Sequence, residues 1–372
     1  MKNVYGLLLT AFLFLSLCNC KGGRDTQDGL PVRYLNTNAD DLNYKRFIEE
    51  IGLVQLGIDD NYIIGGIDQL ATYNDKWFVL DRKHRMALFV FDKNGKPVGQ
   101  YNRLGRGPNE YFGIFGFDID PDSGDIILLC ARKLILLDED LNPTRELVVN
   151  DIYERAAFHE DGVLLYSYTQ SRVDYLSLEG GEAETVFEFE GDKDNAFTPN
   201  TNIFIRAKDA LYFHTVEVDK LFRIDNKRFN AIATIDYDMK REAKSIYTNV
   251  GITTLSLKDR LMYSRPRIMS IIDRKGGLSL IFNNLLSCIN VDSGGGLYEN
   301  WQISSLMGSS DLMVCGDVLV GWTHAFHYDK DSFNQYHKYD GIPINHIDAN
   351  PKEIEDNGNP ILIFYKLRPD EF

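Results

Sequence analysis

Four acids punctuate the middle of the chain at nearly constant spacing. Asp92, Asp138, Glu179 and Asp225 lie 46, 41 and 46 residues apart. Each closes a short run of aliphatic and aromatic residues and is followed by a turn. The first unit has runs at 62–72, 77–81 and 87–92, then the turn Lys93-Asn94-Gly95 and a more polar run at 98–101. Asn-Gly accepts positive φ and is a strong hairpin signal. The second, third and fourth units keep the same internal order up to residue 237, with turns at Glu139-Asp140, Glu179-Gly180-Gly181 and Asn226-Lys227. A repeat of roughly 40–50 residues holding four short strands is the signature of a β-propeller, because one four-stranded sheet cannot bury its own faces. Closing the ring protects the sheet edges. A β-sandwich would need this shared order to be accidental.

The expected fold is therefore all-β: a six-bladed β-propeller of four-stranded antiparallel blades, occupying residues 41–372. The second half is less regular. Asp238 to Lys244 reads as a short helical insertion, and 351–356 as another short helix. Blade five is expected from 252–257, 260–263 and 278–291, with the turn at 292–296. Blade six is expected from 312–315 and 318–323, interrupted by a polar stretch at 324–340. The run at 359–367 closes the chain as a strand, and an N-terminal strand near 51–56 completes the ring against it.

The N-terminus reads as an address. One Lys in Met1-Lys2-Asn3 precedes fourteen uncharged residues, Val4 to Leu17, which is a signal-peptide pattern. Residues 1–19 are expected to be removed. Leu17-Cys18-Asn19-Cys20 resembles a bacterial lipobox, with Cys20 as the lipidated residue and 20–40 as a polar tether. Acyl chains then hold the protein to a membrane without a spanning helix. No later apolar run approaches the ~20 residues of such a helix. The alternative is an ordinary cleaved signal with incidental cysteines. Cys130, Cys288 and Cys315 remain in the body. Their odd number and apolar neighbours point to buried thiols rather than a disulfide framework or a zinc site.

Gly105-Arg106-Gly107-Pro108-Asn109-Glu110-Tyr111 follows the first unit. It resembles the Gly-x-Gly-Pro-Gly-Glu-Tyr loop of the six-bladed β-propeller lipoproteins of Bacteroides and relatives, with Asn109 in place of a Gly. Phe91-Asp92-Lys93-Asn94-Gly95-Lys96 and the ending Asn359-Pro360-Ile-Leu-Ile-Phe-Tyr365-Lys366 are similar to the same family. The resemblance implies an outer-membrane lipoprotein with a propeller related to NHL-type repeats. It implies no reaction, since a fold alone does not supply function.

Candidate ligand contacts are Arg106, Glu110, Tyr111, Trp322 and His324. Arg106 can pair with Glu110, making the loop a connector, or can fork onto a ligand carboxylate. Tyr111, Phe112, Trp322 and Tyr328 offer flat faces for sugar rings, or pack between blades. His324-x-x-His327 is the one close histidine pair, and a metal there needs helical spacing and a third ligand. His159 and His214 fall at different positions in their blades. Asp118, Asp120 and Asp122 lack the spacing of an EF-hand and read as a turn. No nucleophile elbow and no phosphate-binding loop is present, so no catalytic residue and no cofactor is assigned.

Acids outnumber bases to give a net charge of −15. That field repels phosphate backbones and makes nucleic acid an unsuitable partner. It points to a basic or neutral partner, or a cation-bridged one. The expected function is a cell-envelope binding platform for a protein, peptide or glycan, attached to the membrane through its lipid. The alternatives are a metal-dependent propeller hydrolase or lyase and a subunit of an envelope sensory or assembly complex.

Overall fold

The computed structural model describes residues 26–27, 30–34, 48–57, 61–190, 202–207, 209–215, 217–236, 268–274, 277–282, 286–290, 299–301, 313–315, 318–325, 344–346 and 358–368. Among the described residues the strands fall into six hydrogen-bonded sheets. Five contain meanders of four consecutive strands. Blade 1 is Gln69–Tyr73, Lys76–Asp81, Ala87–Asp92 and Pro97–Tyr101. Blade 2 is Ile114–Ile119, Ile126–Cys130, Lys133–Leu137 and Pro143–Val148. Blade 3 is Arg155–His159, Gly162–Ser167, Arg172–Ser177 and Glu184–Glu188. Blade 4 is Phe204–Ala207, Ala210–Phe213, Lys220–Asp225 and Arg228–Asp236. Blade 5 is Ile268–Arg274, Gly277–Phe282, Leu286–Asn290 and Glu299–Trp301.

The chain thus supplies five meander blades rather than six. The remaining sheet is a composite. Met313–Cys315, Val318–Thr323 and Ile361–Leu367 are joined by Ile48–Gln55 from the N-terminal part of the sequence, on which Ile344–His346 pairs in parallel as a fifth, edge strand. The first strand of each sheet touches the first strand of the next, and the composite sheet returns to blade 1. The architecture is an all-β propeller with four-stranded antiparallel blades.

Both faces of the central strands are buried, which explains their unbroken apolar runs. In Lys76–Asp81, Phe78 and Leu80 enter the core shared with blade 2, while Trp77 and Val79 enter the core shared with the composite sheet. Successive side chains point to opposite faces, so one strand feeds two cores. Further cores lie between blades 2 and 3, 3 and 4, and 4 and 5.

Two of the punctuating acids cap their turns, whereas Asp225 accepts the side chains of Arg223 and Asn230. Asp92 Oδ1 accepts the Asn94 and Lys96 N–H groups at 2.9 Å each. Asp138 Oδ1 repeats this with Asp140 and Asn142. Glu179 does not. In blade 3 the equivalent acceptor is Ser177 Oγ, which takes the Glu179 N–H at 3.2 Å. A hydroxyl serves the same turn without a carboxylate.

Blade 5 also departs from expectation. Its first strand is Ile268–Arg274, whereas the runs at 252–263 lie outside the described residues. So do the proposed helix at 238–244, the one at 351–356, the signal segment and Cys20. No α-helix occurs among the described residues. From the stretch expected as a tether, Leu30–Tyr34 adds in parallel to the outer strand of blade 4, and Thr26–Gln27 pairs with it.

Candidate functional site

The antiparallel meander sorts its connections to two ends of the propeller. Turns between the first and second, and between the third and fourth strands, lie at one end, here the turn end. The links between the second and third strands, and from each blade to the next, lie at the other, the crossover end. Rigid strands with loops gathered at an end are where binding residues concentrate.

The loop Gly105–Tyr111 joins blade 1 to blade 2 at the crossover end and is held from both sides. Tyr101 Oη donates to the Asn109 carbonyl at 2.6 Å, and the Asn109 N–H donates to Glu146 Oε2 of blade 2 at 2.7 Å. Lys133 Nζ meets the same Glu146 oxygen at 3.0 Å. Asn109 has φ +58°, so the position usually Gly in the resembled loop keeps its left-handed backbone here. Glu110 turns inward, and its carboxylate accepts the Gly107 N–H at 2.7 Å. It also lies against Gly105, where a Cβ would collide with it. Tyr111 is buried, and its hydroxyl donates to the Met86 carbonyl at 2.7 Å. Burial pushes its phenol well above the usual range and that of Tyr101 up to about 12.

Arg106 does not pair with Glu110. Its guanidinium lies over the Phe112 ring, 5.1 Å from the centroid, and Phe112 is 62% exposed. Beside them opens a pocket of about 330 Å³, lined by Arg106, Glu110, Phe112, Ala131 and Lys133, with Tyr111 and Cys130 in its wall. Burial raises the Cys130 thiol to about 12, so it forms wall and not a nucleophile.

Trp322 and His324 sit at the same end but at a different seam, between the composite sheet and blade 1. Their rings meet edge-on with centroids 5.0 Å apart. Trp322 reaches Gly66, and His84 packs against Gly65 and Gly66. The five expected contact residues therefore flank blade 1 on both sides without forming one pocket.

Two buried carboxylates hold the crossover loop of blade 1 between these seams. Asp68 Oδ2 accepts the Arg82 and Lys83 N–H groups at 2.9 and 3.2 Å. Asp81 accepts the Gly65 N–H at 2.7 Å and the His84 N–H at 2.9 Å. Neither aspartate belongs to the punctuating set, though Asp81 ends its strand as Asp92 does. Arg155 lies at the same end, its pKa drawn down to about 10 by burial and by Arg82 nearby.

Other sequence candidates resolve into framework. Asp118 Oδ2 accepts the Phe158 N–H at 2.8 Å and Arg206 at 2.9 Å, linking the inner strands of blades 2, 3 and 4. Asp120 caps its turn through the Asp122 N–H. His159 and His214 lie at opposite ends of their blades. Tyr328 and His327 are outside the described residues. Among the described residues no group of three or more His, Cys, Asp or Glu side chains converges as a metal site would require.

Residues 30–276, about two thirds of the sequence, match the family described as "Domain of unknown function (DUF4934)". The chain belongs to the DUF4934 family. A crystal structure of a candidate exported protein of Bacteroides fragilis NCTC 9343 is similar to this DUF4934 chain with a TM-score of 0.63 and 14% identity. It covers 91% of this chain and 99% of its own. A member of the DUF4221 family from Bacteroides vulgatus ATCC 8482 aligns with a TM-score of 0.46 and 12% identity over 86% and 97%. These identities speak to fold alone, and the first supports the propeller for this DUF4934 chain. No curated protein matches the sequence.

Proposed function

We propose that this chain is a cell-envelope lipoprotein, anchored through Cys20, whose propeller is a binding platform for a polypeptide or glycan partner. The observation that carries the reading is the exposed Phe112 capped by Arg106 beside the loop pocket. An aromatic and an arginine in that arrangement are characteristic anchors of interfaces. The lipobox-like Leu17-Cys18-Asn19-Cys20 supports the anchor, and the fold shared with a candidate exported protein of Bacteroides fragilis is consistent with an envelope address.

Two measurements test this. Cys20→Ala is expected to move the protein from the membrane fraction to the soluble fraction; unchanged membrane retention overturns the anchor. A photoreactive residue at Phe112 is expected to crosslink a partner in cells, and one at Val98, exposed near the turn end, is not. Equal labelling at both positions, or none at Phe112, overturns the platform.

A further inference from the structure

The net charge of the chain is unevenly distributed between the two ends. The turns of blades 1 to 3 carry Asp75, Asp122, Asp125, Asp140, Glu160 and Asp161, among other acids. The crossover end of blades 1 and 2 carries Arg82, Lys83, Arg85, Arg103, Arg106 and Arg132, all exposed except the half-buried Arg82. The acids in those same loops are already engaged. Asp68 lies 3.2 Å from Lys83 and 3.6 Å from Arg82 as well as capping their backbone. Glu110 turns onto Gly107. No hydrogen bond or ion pair neutralises Arg85, Arg106 or Arg132 among the described residues, and Arg103 and Arg106 lie over the rings of Tyr101 and Phe112.

Apolar exposure follows the same division. Of the six exposed large hydrophobics among the described residues, Ile63, Leu104, Phe112, Val148 and Ile152 are at the crossover end. They come from three successive inter-blade links and the adjoining strand end, and Arg103 and Arg106 share one of those links with Leu104 and Phe112. An end that carries both exposed apolar side chains and arginines has the composition of an interface core. Its charge selects a partner of opposite sign.

We propose that the crossover end of blades 1 and 2 docks an acidic polypeptide segment bearing apolar side chains. This rests on the platform reading and reverses the partner charge expected from net charge alone. Arginines set against a negative remainder steer an acidic segment to this end and repel it from the other. The aliphatic contacts Ile63, Leu104 and Ile152 favour a polypeptide over a polysaccharide, whose rings stack on aromatic faces, and over a lipid headgroup, which offers no side chains.

The test uses the full mature chain and a fluorescein-labelled 12-residue peptide of alternating Glu and Leu or Phe, read by anisotropy. The controls are the corresponding Lys peptide, polygalacturonate, and vesicles with and without anionic lipid. Binding of the acidic peptide is expected, weakening steeply with salt. The triple variant R85E/R106E/R132E is expected to weaken it at least about tenfold, and Phe112→Ala several-fold. Asp122→Lys with Asp140→Lys, at the turn end, is expected to leave it within about twofold. Thermal unfolding of each variant separates lost binding from lost folding. Tighter binding of the Lys peptide, the polysaccharide or the anionic vesicles, or equal binding by the triple variant, overturns the proposal. Crosslinking at Phe112 is independent of peptide charge, so the platform can survive that result.

Discussion

Asn359 tests whether the composite sheet is latched as the structure implies. The side chain is buried and joins three backbone groups on the link into blade 1. Oδ1 accepts the Ile64 N–H at 2.8 Å, and Nδ2 donates to the carbonyls of Gly57, at 2.8 Å, and Tyr62. Asn359→Ala leaves those groups without their partner. Ile64 is buried, while Gly57 and Tyr62 are half-buried and regain some water. At about 1 kcal/mol per bond the loss is about 3 kcal/mol. Unfolding entropy near 2.1 cal/mol/K per residue gives roughly 0.7 kcal/mol/K for a propeller of this length, so Tm should fall by about 4 °C. Scanning calorimetry reads the change directly. Asn142→Ala is the control, since Asn142 is exposed and bonds only within its own turn around Asp138; its Tm should stay within about 1 °C. Asn359→Asp keeps the acceptor for Ile64 but turns an oxygen toward two carbonyls. At neutral pH it should destabilise at least as much as Ala. A wild-type Tm for Asn359→Ala, or a harmless Asp, would refute the latch.

Three further outcomes follow from the packing. Gly95→Ala should destabilise by about 2 kcal/mol or more, because Gly95 has φ +85° and an added Cβ would strike the Gln55 carbonyl of the composite sheet; urea midpoints measure it. Cys130 should resist maleimide at pH 8 in the folded protein and react once unfolded, because burial holds its thiol near 12. Rapid native labelling, located by mass spectrometry, would contradict that. Burial lowers the pKa of His159 below its ordinary 6.5, so the folded state prefers the neutral ring. Its contribution is present above that value and lost as pH falls toward the lowered one. His159→Gln should therefore flatten the fall in stability on acidification below about pH 6.5, and parallel pH–stability curves for the two proteins would exclude this.

Much of the propeller was legible because its information is local. Runs such as Trp77-Phe78-Val79-Leu80 announce strands buried on both faces, and Asn94-Gly95 announces the turn that follows. The loop at Gly105–Tyr111 was legible as a built feature, but its internal pairing was not. Glu110 prefers the Gly107 N–H, and Arg106 prefers the Phe112 face; spacing could not decide between these and a mutual ion pair. Ser177 was masked by the nearby Glu179, because a hydroxyl and a carboxylate can make the same turn. Ile268–Arg274 does not read as a strand in the sequence because polar residues flank and interrupt it. The charge division was hidden for a topological reason. Arg85 and Asp75 lie ten residues apart in sequence and fall at opposite ends because the one strand between them, Lys76–Asp81, runs from the turn end to the crossover end. The latch at Asn359 depends on partners almost the whole chain away.

The closing sheet also sets an order of events. Ile48–Gln55 is made long before its neighbour Ile361–Leu367. Until then the early strand has an unpaired edge, which invites association with other chains. The meander blades can form as they emerge, but the circle cannot. Loss of Ile361–Leu367 would consequently leave an open arc, in which the fault lies at Ile48–Gln55 as much as at the missing strand.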